Sequence, residues 1–297
     1  MSSSFHQRCV QLRRELSGAD DLGVVAEAHD GLSAMLVERA GFRAIWASGL
    51  TISSASGVRD CSELSPTQLL AAIEQMSDAV SIPILADGDS GHGNFNNARR
   101  FVRKLCERGV AGVCLEDKLF PKMNSFIGND QPLAEIGEFT GKLKAAKDAQ
   151  LDDQFVVVAR TEAFIAGRGL DEALRRATAY QAAGADALVV HSKQATPHEI
   201  LAFMRAWPAG IPVIVIPTTY YNVTAAELRA ARIAAVVFPN QTLRAAVPAM
   251  QAVLAKLYAT RTLGAVEGEI ARLSELFDLL GYDELEAAER RYAGPAS

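Results

Sequence analysis

Residues 82–109 read "IPILADGDSGHGNFNNARRFVRKLCERG", and their reading decides the fold. An apolar run, IPILAD (82–87), passes through a turn rich in Gly, Asp and Asn into an amphipathic stretch, NARRFVRKLCERG (97–109). An apolar run bounded by turn residues reads as a buried strand, and Gly just past a periodic stretch reads as a helix C-cap. The whole is one strand–turn–helix unit. Its turn admits three readings: a Gly-rich cradle for phosphate, carboxylates for a metal, or a plain helix start, since Asn, Asp and Ser all cap helices.

The unit recurs along the chain. Apolar runs are GVVAEA (23–28), AIWAS (44–48), IPILAD (82–87), AGVCLE (111–116), FVVVAR (155–160), ALVVH (187–191), PVIVIP (212–217) and AAVVFP (234–239). Amphipathic stretches such as GLSAMLVERAG (31–41) and LDEALRRATAYQAAG (170–184) separate them. Continuous apolar strands, each followed by a helix, imply parallel pairing buried on both faces. Eight such units over about 240 residues are the arithmetic of a (β/α)8 TIM barrel. A doubly wound sheet competes, but no strand leads into a GxGxxG turn. We therefore expect a barrel domain over 1–258 and a C-terminal helical tail over 259–297, surplus to one barrel and packed on a neighbouring subunit.

Composition agrees with a large core. The 297 residues are 49% hydrophobic, with a net charge of −5. An acidic balance argues against a nucleic-acid partner, which needs clustered Lys and Arg; the basic run at 96–108 reads as the solvated face of a helix. The four cysteines show no metal-ligand spacing and suit a reducing cytosol. No window is apolar enough for a membrane span or a signal peptide, so a cytoplasmic protein is expected.

Barrel chemistry gathers where strands end and βα loops begin. Those ends carry His29-Asp30, Ser48-Gly49, Asp87 and Asp89, Glu116-Asp117-Lys118, Arg160 and Glu162, His191-Ser192-Lys193, Thr218-Thr219 and Asn240-Gln241. Asp87, Asp89 and Glu116 converge from neighbouring strands without matching His or Cys, a donor set for a hard cation such as Mg2+ or Mn2+. The plainer alternative is that they cap helices or pair with Arg99, Lys118 or Arg160. Arg160 ends an apolar strand, either paired with Glu116 or Glu162 or binding an anion. On spacing alone His191 reads best as structural. Ser48-Gly49-Leu50 offers consecutive N–H groups, a nest for a carboxylate or phosphate. Asp60 has no obvious partner except Arg59. EDKLFPKMNSFIGND (116–130) is long and starts at an active-face strand end, as lids do, with Lys122 and Asn124 as its polar reach.

Taken together, EAHDGLSA, IWASGL, GVRD, GNFNNARR, GVCLEDKLFPKMNS, ARTEAFIAG and GADALVVHSK resemble the phosphoenolpyruvate mutase/isocitrate lyase superfamily, its mutase branch in particular. The resemblance spans residues 20–260 and weakens into the tail. It implies a barrel whose last helix is exchanged with a partner subunit, Mg2+, and a homotetramer built as a dimer of dimers. It also implies that Asp87 ligates the metal, with Asp89 and Glu116 acting through waters. Trp46, Ser48, Gly49, Leu50 and Arg160 would bind the substrate, with Ser48, Gly49 and Leu50 holding its carboxylate, aided by Arg160. Asp60, Lys122, Asn124, Arg160 and His191 would surround a phosphoryl group moving between C3 and the enolate oxygen of pyruvate. The loop around 117–132 would be the lid, and an Asn would open the helix after Asp89.

Within the superfamily, the isocitrate and methylisocitrate lyases carry a catalytic Cys in a KCGH-like lid; here the lid reads PKMNS. Phosphonopyruvate hydrolases, the close rival, have Thr where Asn124 stands. Oxaloacetate-cleaving relatives lack the EDKLFPK lid. Two departures from the mutase pattern stand out: DSGHGN in place of DTGYGN, and FPNQ where a Trp-Ala-Asn-His run is usual. His92 either adds to the metal site or fills the space of the Tyr.

Overall fold

The computed structural model describes residues 4–293 apart from 20, 129–130 and 208–209; the end of the expected tail, 294–297, and two residues of the expected lid thus lie outside the described residues. Eight parallel strands close in chain order into a barrel. They are β1 (Gly23–Ala28), β2 (Ile45–Ala47), β3 (Ile84–Asp87), β4 (Gly112–Glu116), β5 (Val156–Thr161), β6 (Ala187–Val190), β7 (Val213–Val215) and β8 (Ala235–Phe238). β1 pairs with both β2 and β8, which completes the ring. Every expected apolar run forms its strand.

The helices are α1 (Phe5–Ser17), α2 (Gly31–Arg39), α3 (Gly49–Ala55), α4 (Pro66–Ala79), α5 (Phe95–Cys106), α6 (Ile136–Ala149), α7 (Gly169–Ala182), α8 (His198–Ala206), α9 (Ala225–Ala230), α10 (Gln241–Thr260), α11 (Leu273–Leu280) and α12 (Tyr282–Tyr292). α5 illustrates why they pack outside the barrel: Ala98, Phe101, Val102, Leu105 and Cys106 are buried. Its basic residues face out, with Glu107 pairing Lys104 at 2.5 Å and Arg103 at 3.5 Å.

α1 was not among the expected elements. It packs on β1, β3, β5 and β8 and buries Cys9, Leu12 and Leu16. The seat is tight at the start of β4, where a Cβ on Gly112 would stand 2.8 Å from Leu12 Cδ2. The helix closes the N-terminal end of the barrel, leaving the C-terminal end for the site.

Contacts divide the described residues into two units, one up to Leu243 and one from Arg244 onward. In the second, Lys256 pairs with Glu269 at 2.5 Å and Phe277 packs on Tyr282, while Leu254, Tyr258, Leu273 and Leu285 are exposed. Among the described residues no helix is long and apolar enough to cross a membrane.

Candidate active site

The turn after β3 shows which of its residues starts the next helix. The chain leaves Asp87 and passes through the left-handed region at Asp89, Gly91, His92 and Gly93. A Cβ on Gly88 would come 2.7 Å from Val113 and 2.8 Å from Leu115, so glycine lets the turn lie against β4. Asn94, not Asp89, caps α5 by accepting the Asn96 N–H at 2.9 Å. The helix start therefore uses Asn94 and leaves both aspartates free to face the barrel mouth.

The first turn of α3 closes against them. The Gly49 N–H donates to Asp87 Oδ2 at 3.3 Å, and a Cβ on Gly49 would meet Asp87 Oδ2 and Asp89 Oδ1, each at 3.3 Å. Ser48 caps this helix and is buried. Across the mouth, Lys122 Nζ lies 2.5 Å from Asp89 Oδ1 and 2.7 Å from Asp60 Oδ1. Asn124 Nδ2 donates to the other Asp60 oxygen at 2.7 Å. The partners of Asp60 are thus lid residues distant in sequence, which corrects the expectation of Arg59; that guanidinium bonds Glu63 instead.

Glu162 organises the opposite wall. It accepts from Arg160 Nε at 2.6 Å and Ser125 Oγ at 2.7 Å, and its Oε1 lies 2.7 Å from His191 Nδ1. Arg160 also approaches Glu116 at 3.4 Å, Ser125 at 3.2 Å and His191 Nδ1 at 2.8 Å. The paired reading of Arg160 holds, and its side chain also lines the cavity. Beneath, the fully buried Asp117 accepts from Tyr180, Arg176 and the Glu162 N–H, while its carbonyl accepts the Ala134 N–H. That pins both stems of the lid.

The lid lies down over this wall. Lys118 Nζ donates to Met123 O at 2.7 Å and Ser125 Oγ at 2.9 Å, and the Lys122 N–H donates to Ser62 Oγ at 3.1 Å. Lys122 and Ser125 are buried, and the Phe126 ring meets His191 edge-on at 5.5 Å. The cavity is lined by Trp46, Ser48, Leu50, Asp60, Asp87, Lys122, Asn124, Arg160 and His191, with Ser125, Thr218 and Asn240 beside them. Of the residues the resemblance implies, nine line this mouth, and Gly49, Asp89 and Glu116 contact them at Asp87, Lys122 and Arg160. Of the other strand-end residues, His29, Thr219 and Ser192 bond Glu27, Gln194 and Glu199 instead. Ser125, Glu162 and Phe126 were not assigned roles; their signal was adjacency to Asn124 in the lid and to Arg160 at the end of β5.

The electrostatics are those of charge concentrated out of water. Burial, then the Asp89 charge, pushes the Asp87 carboxyl up to about 6. Burial also pushes Asp89 to about 6, against the pull of Lys122, and raises Glu116 against that of Arg160. Burial opposes the Lys122 ammonium, but Asp89, Asp60 and Glu116 outweigh it and hold the group above its usual range. Burial lowers His191 despite the opposing pull of Glu162. Among the described residues, buried side-chain atoms without a hydrogen-bond partner in and beside the mouth include Glu116 Oε1, His191 Nε2 and His92 Nε2.

Buried carboxylates with raised pKa values, an unpartnered Glu116 oxygen and a glycine that lets two carboxylates converge all fit a hard divalent cation. Among the described residues no three His, Cys, Asp or Glu groups are close enough to ligate one ion together.

A family model described as phosphoenolpyruvate phosphomutase matches residues 12–258. The phosphoenolpyruvate phosphomutase of Tetrahymena pyriformis is 51% identical over 97% of this chain and 96% of its own length. The crystal structure of phosphoenolpyruvate phosphomutase from Streptomyces platensis subsp. rosaceus superposes with a TM-score of 0.93 at 46% identity, covering 96% of this chain and 99% of that one. A phosphonopyruvate hydrolase in complex with oxalate and Mg2+ superposes with a TM-score of 0.90 at 38% identity, covering 98% and 100%. The chain belongs to the phosphoenolpyruvate phosphomutase family.

Proposed function

We propose that this chain is an isomerase that interconverts phosphoenolpyruvate and phosphonopyruvate, the P–C bond-forming step of phosphonate biosynthesis. The observation that carries the reading is the lid: Lys122 and Asn124 clamp on Asp60 and Asp89, above a wall of Arg160 and His191. Phosphoryl transfer within one molecule needs oriented donors around a loose phosphoryl group and a mouth closed to water.

In this reading the Ser48–Leu50 turn and Arg160 hold the substrate carboxylate. The P–C bond of phosphonopyruvate breaks with its electron pair left on the pyruvate enolate, and a P–O bond forms to the enolate oxygen. Arg160, His191, Lys122 and Asn124 hold the phosphoryl group between the two positions. Both Asp60 oxygens already accept hydrogen bonds from the lid, which favours an orienting role over covalent attack. Asp87, with Asp89 and Glu116 through waters, would hold Mg2+ or Mn2+. When bound, that ion would polarise the pyruvate oxygens and stabilise negative charge on them.

The assembly belongs to the same proposal: a cytoplasmic homotetramer in which the tail over 259–297 packs on a neighbouring subunit. Phosphorus NMR of phosphonopyruvate with the protein and Mg2+ tests the activity. Phosphoenolpyruvate as product supports the mutase. Inorganic phosphate with pyruvate would instead make the chain a phosphonopyruvate hydrolase.

A further inference from the structure

Glu27 is a carboxylate within the apolar strand β1, 1% exposed, and the reaction above does not use it. Its Oε2 accepts from Thr51 Oγ1 at 3.0 Å and lies 3.3 Å from His29 Nδ1. Its Oε1 accepts the Leu243 N–H at 3.0 Å and the Thr242 hydroxyl. Thr51 belongs to the first turn of α3, directly after Ser48-Gly49-Leu50, and Thr242 and Leu243 form the first turn of α10.

We propose that Glu27 is a positioning residue, a strut that fixes the substrate-carboxylate turn of α3 against the start of α10. It rests on the reading of Ser48–Leu50 as the carboxylate-binding turn. A carboxylate out of water is costly unless its lone pairs are satisfied, and here donors from three segments satisfy them. The helix it steadies has seven residues, too short to hold its own place, so its position comes from tertiary bonds. Those bonds are carboxylate anchors on two sides: Asp87 at the Gly49 N–H and Glu27 at the Thr51 hydroxyl. Asp87 is shared with the proposed cation site. Glu27 is not, so it holds the turn whether or not the cation is bound. Threonine suits this use, because its branched side chain has few rotamers and ties hydroxyl direction to backbone position.

The test uses the full chain with Thr51→Val, Thr242→Val, the double variant and Glu27→Gln. Oxalate binding in Mg2+ is read by tryptophan fluorescence, Trp46 lying at the cavity, beside KM, kcat and melting temperature. Each Val variant is expected to weaken oxalate and raise KM by about tenfold, with kcat within about threefold. The double variant should be no worse than about the larger single effect, since both threonines act through one carboxylate. Glu27→Gln, which keeps an acceptor for α10, should lose less than Thr51→Val. Variants that melt lower but bind oxalate as the parent does would overturn the strut, as would a parent that does not bind oxalate. A parent that binds oxalate, with weakened variants but no turnover of phosphonopyruvate, would sustain the strut and sink the proposed activity instead.

Discussion

Lys122 Nζ lies 2.5 Å from Asp89 Oδ1, joining the lid to the turn that follows β3. Lys122 therefore both anchors the loop over the site and offsets the charge of the carboxylate cluster. Lys122→Met removes both the clamp and a donor for the phosphoryl group. We expect kcat to fall by about a hundredfold or more, as for loss of a charged transition-state donor. The same change removes the charge that draws Asp89 downward, so the pH at which half the activity is lost should move up. Activity within threefold of the parent would contradict the role of Lys122.

The carboxylates themselves set a pH dependence. Asp87 and Asp89 stand at about 6 in the folded chain, above the 3.8 of a free side chain. A carboxyl raised by folding contributes stability that is fully present below its unfolded value and lost as pH rises through its folded value. Against the opposite pull of His92 and His191, whose values folding lowers, these two carboxyls favour the metal-free protein near pH 5 over pH 7.5. His29, raised mainly by its bond to Glu27, works in the same direction. Mg2+ needs the ionised carboxylates, so the melting increase it causes should be large near neutrality and shrink as pH falls through about 6. Melting curves in Mg2+ and in chelator across this range decide it, and a Mg2+ effect independent of pH would remove the cation from Asp87 and Asp89.

Asn124 bonds Asp60 through its amide nitrogen and accepts the Phe126 N–H through its oxygen. It holds the lid tip down on the mouth. Asn124→Ala should loosen that tip and admit water, so that inorganic phosphate rises relative to phosphoenolpyruvate when phosphonopyruvate is the substrate. Phosphorus NMR gives the ratio directly. An unchanged ratio at reduced rate would make Asn124 a binding group without a part in excluding water.

Much of this was legible in the chain because parallel strands buried on both faces leave near-continuous apolar runs, FVVVAR and AAVVFP among them. The polar residues ending those runs had to face the barrel mouth, which placed Asp87, Glu116, Arg160 and His191. Pairing across the mouth was not legible. Asp60 meets Lys122 and Asn124 only because the lid folds back over it, and no local pattern encodes that return. α1 escaped notice because its polar face, with Arg13 reaching the Phe155 carbonyl and Asp186, hides a narrow stripe of Cys9, Leu12 and Leu16. Glu27 was visible as a charge inside an apolar strand, but its partners on α3 and α10 appear only in the fold. His92 now has a surrounding: it packs on Phe101 at 4.5 Å, and burial, then the charge of Lys122, lowers it to about 4. Its buried Nε2 has no hydrogen-bond partner among the described residues.

Glu162 offers the sharpest test of the wall that faces the phosphoryl group. Burial works against its charge, yet Arg160, then His191 and Lys118, hold the carboxyl well below its usual range. Glu162→Gln keeps the shape but leaves the Lys118 ammonium without its buried counter-charge and the Arg160 guanidinium with Glu116 alone. Breaking such a pair from one side costs about 3–5 kcal/mol, which should appear in denaturant unfolding as a lower midpoint. A neutral amide also frees the His191 ring and the Ser125 hydroxyl to reorient. The surviving folded enzyme should therefore lose about a hundredfold in kcat, while Mg2+ binding at Asp87 changes little. The reverse result, full kcat with weakened Mg2+ binding, would place Glu162 in the metal site and not behind the phosphoryl wall.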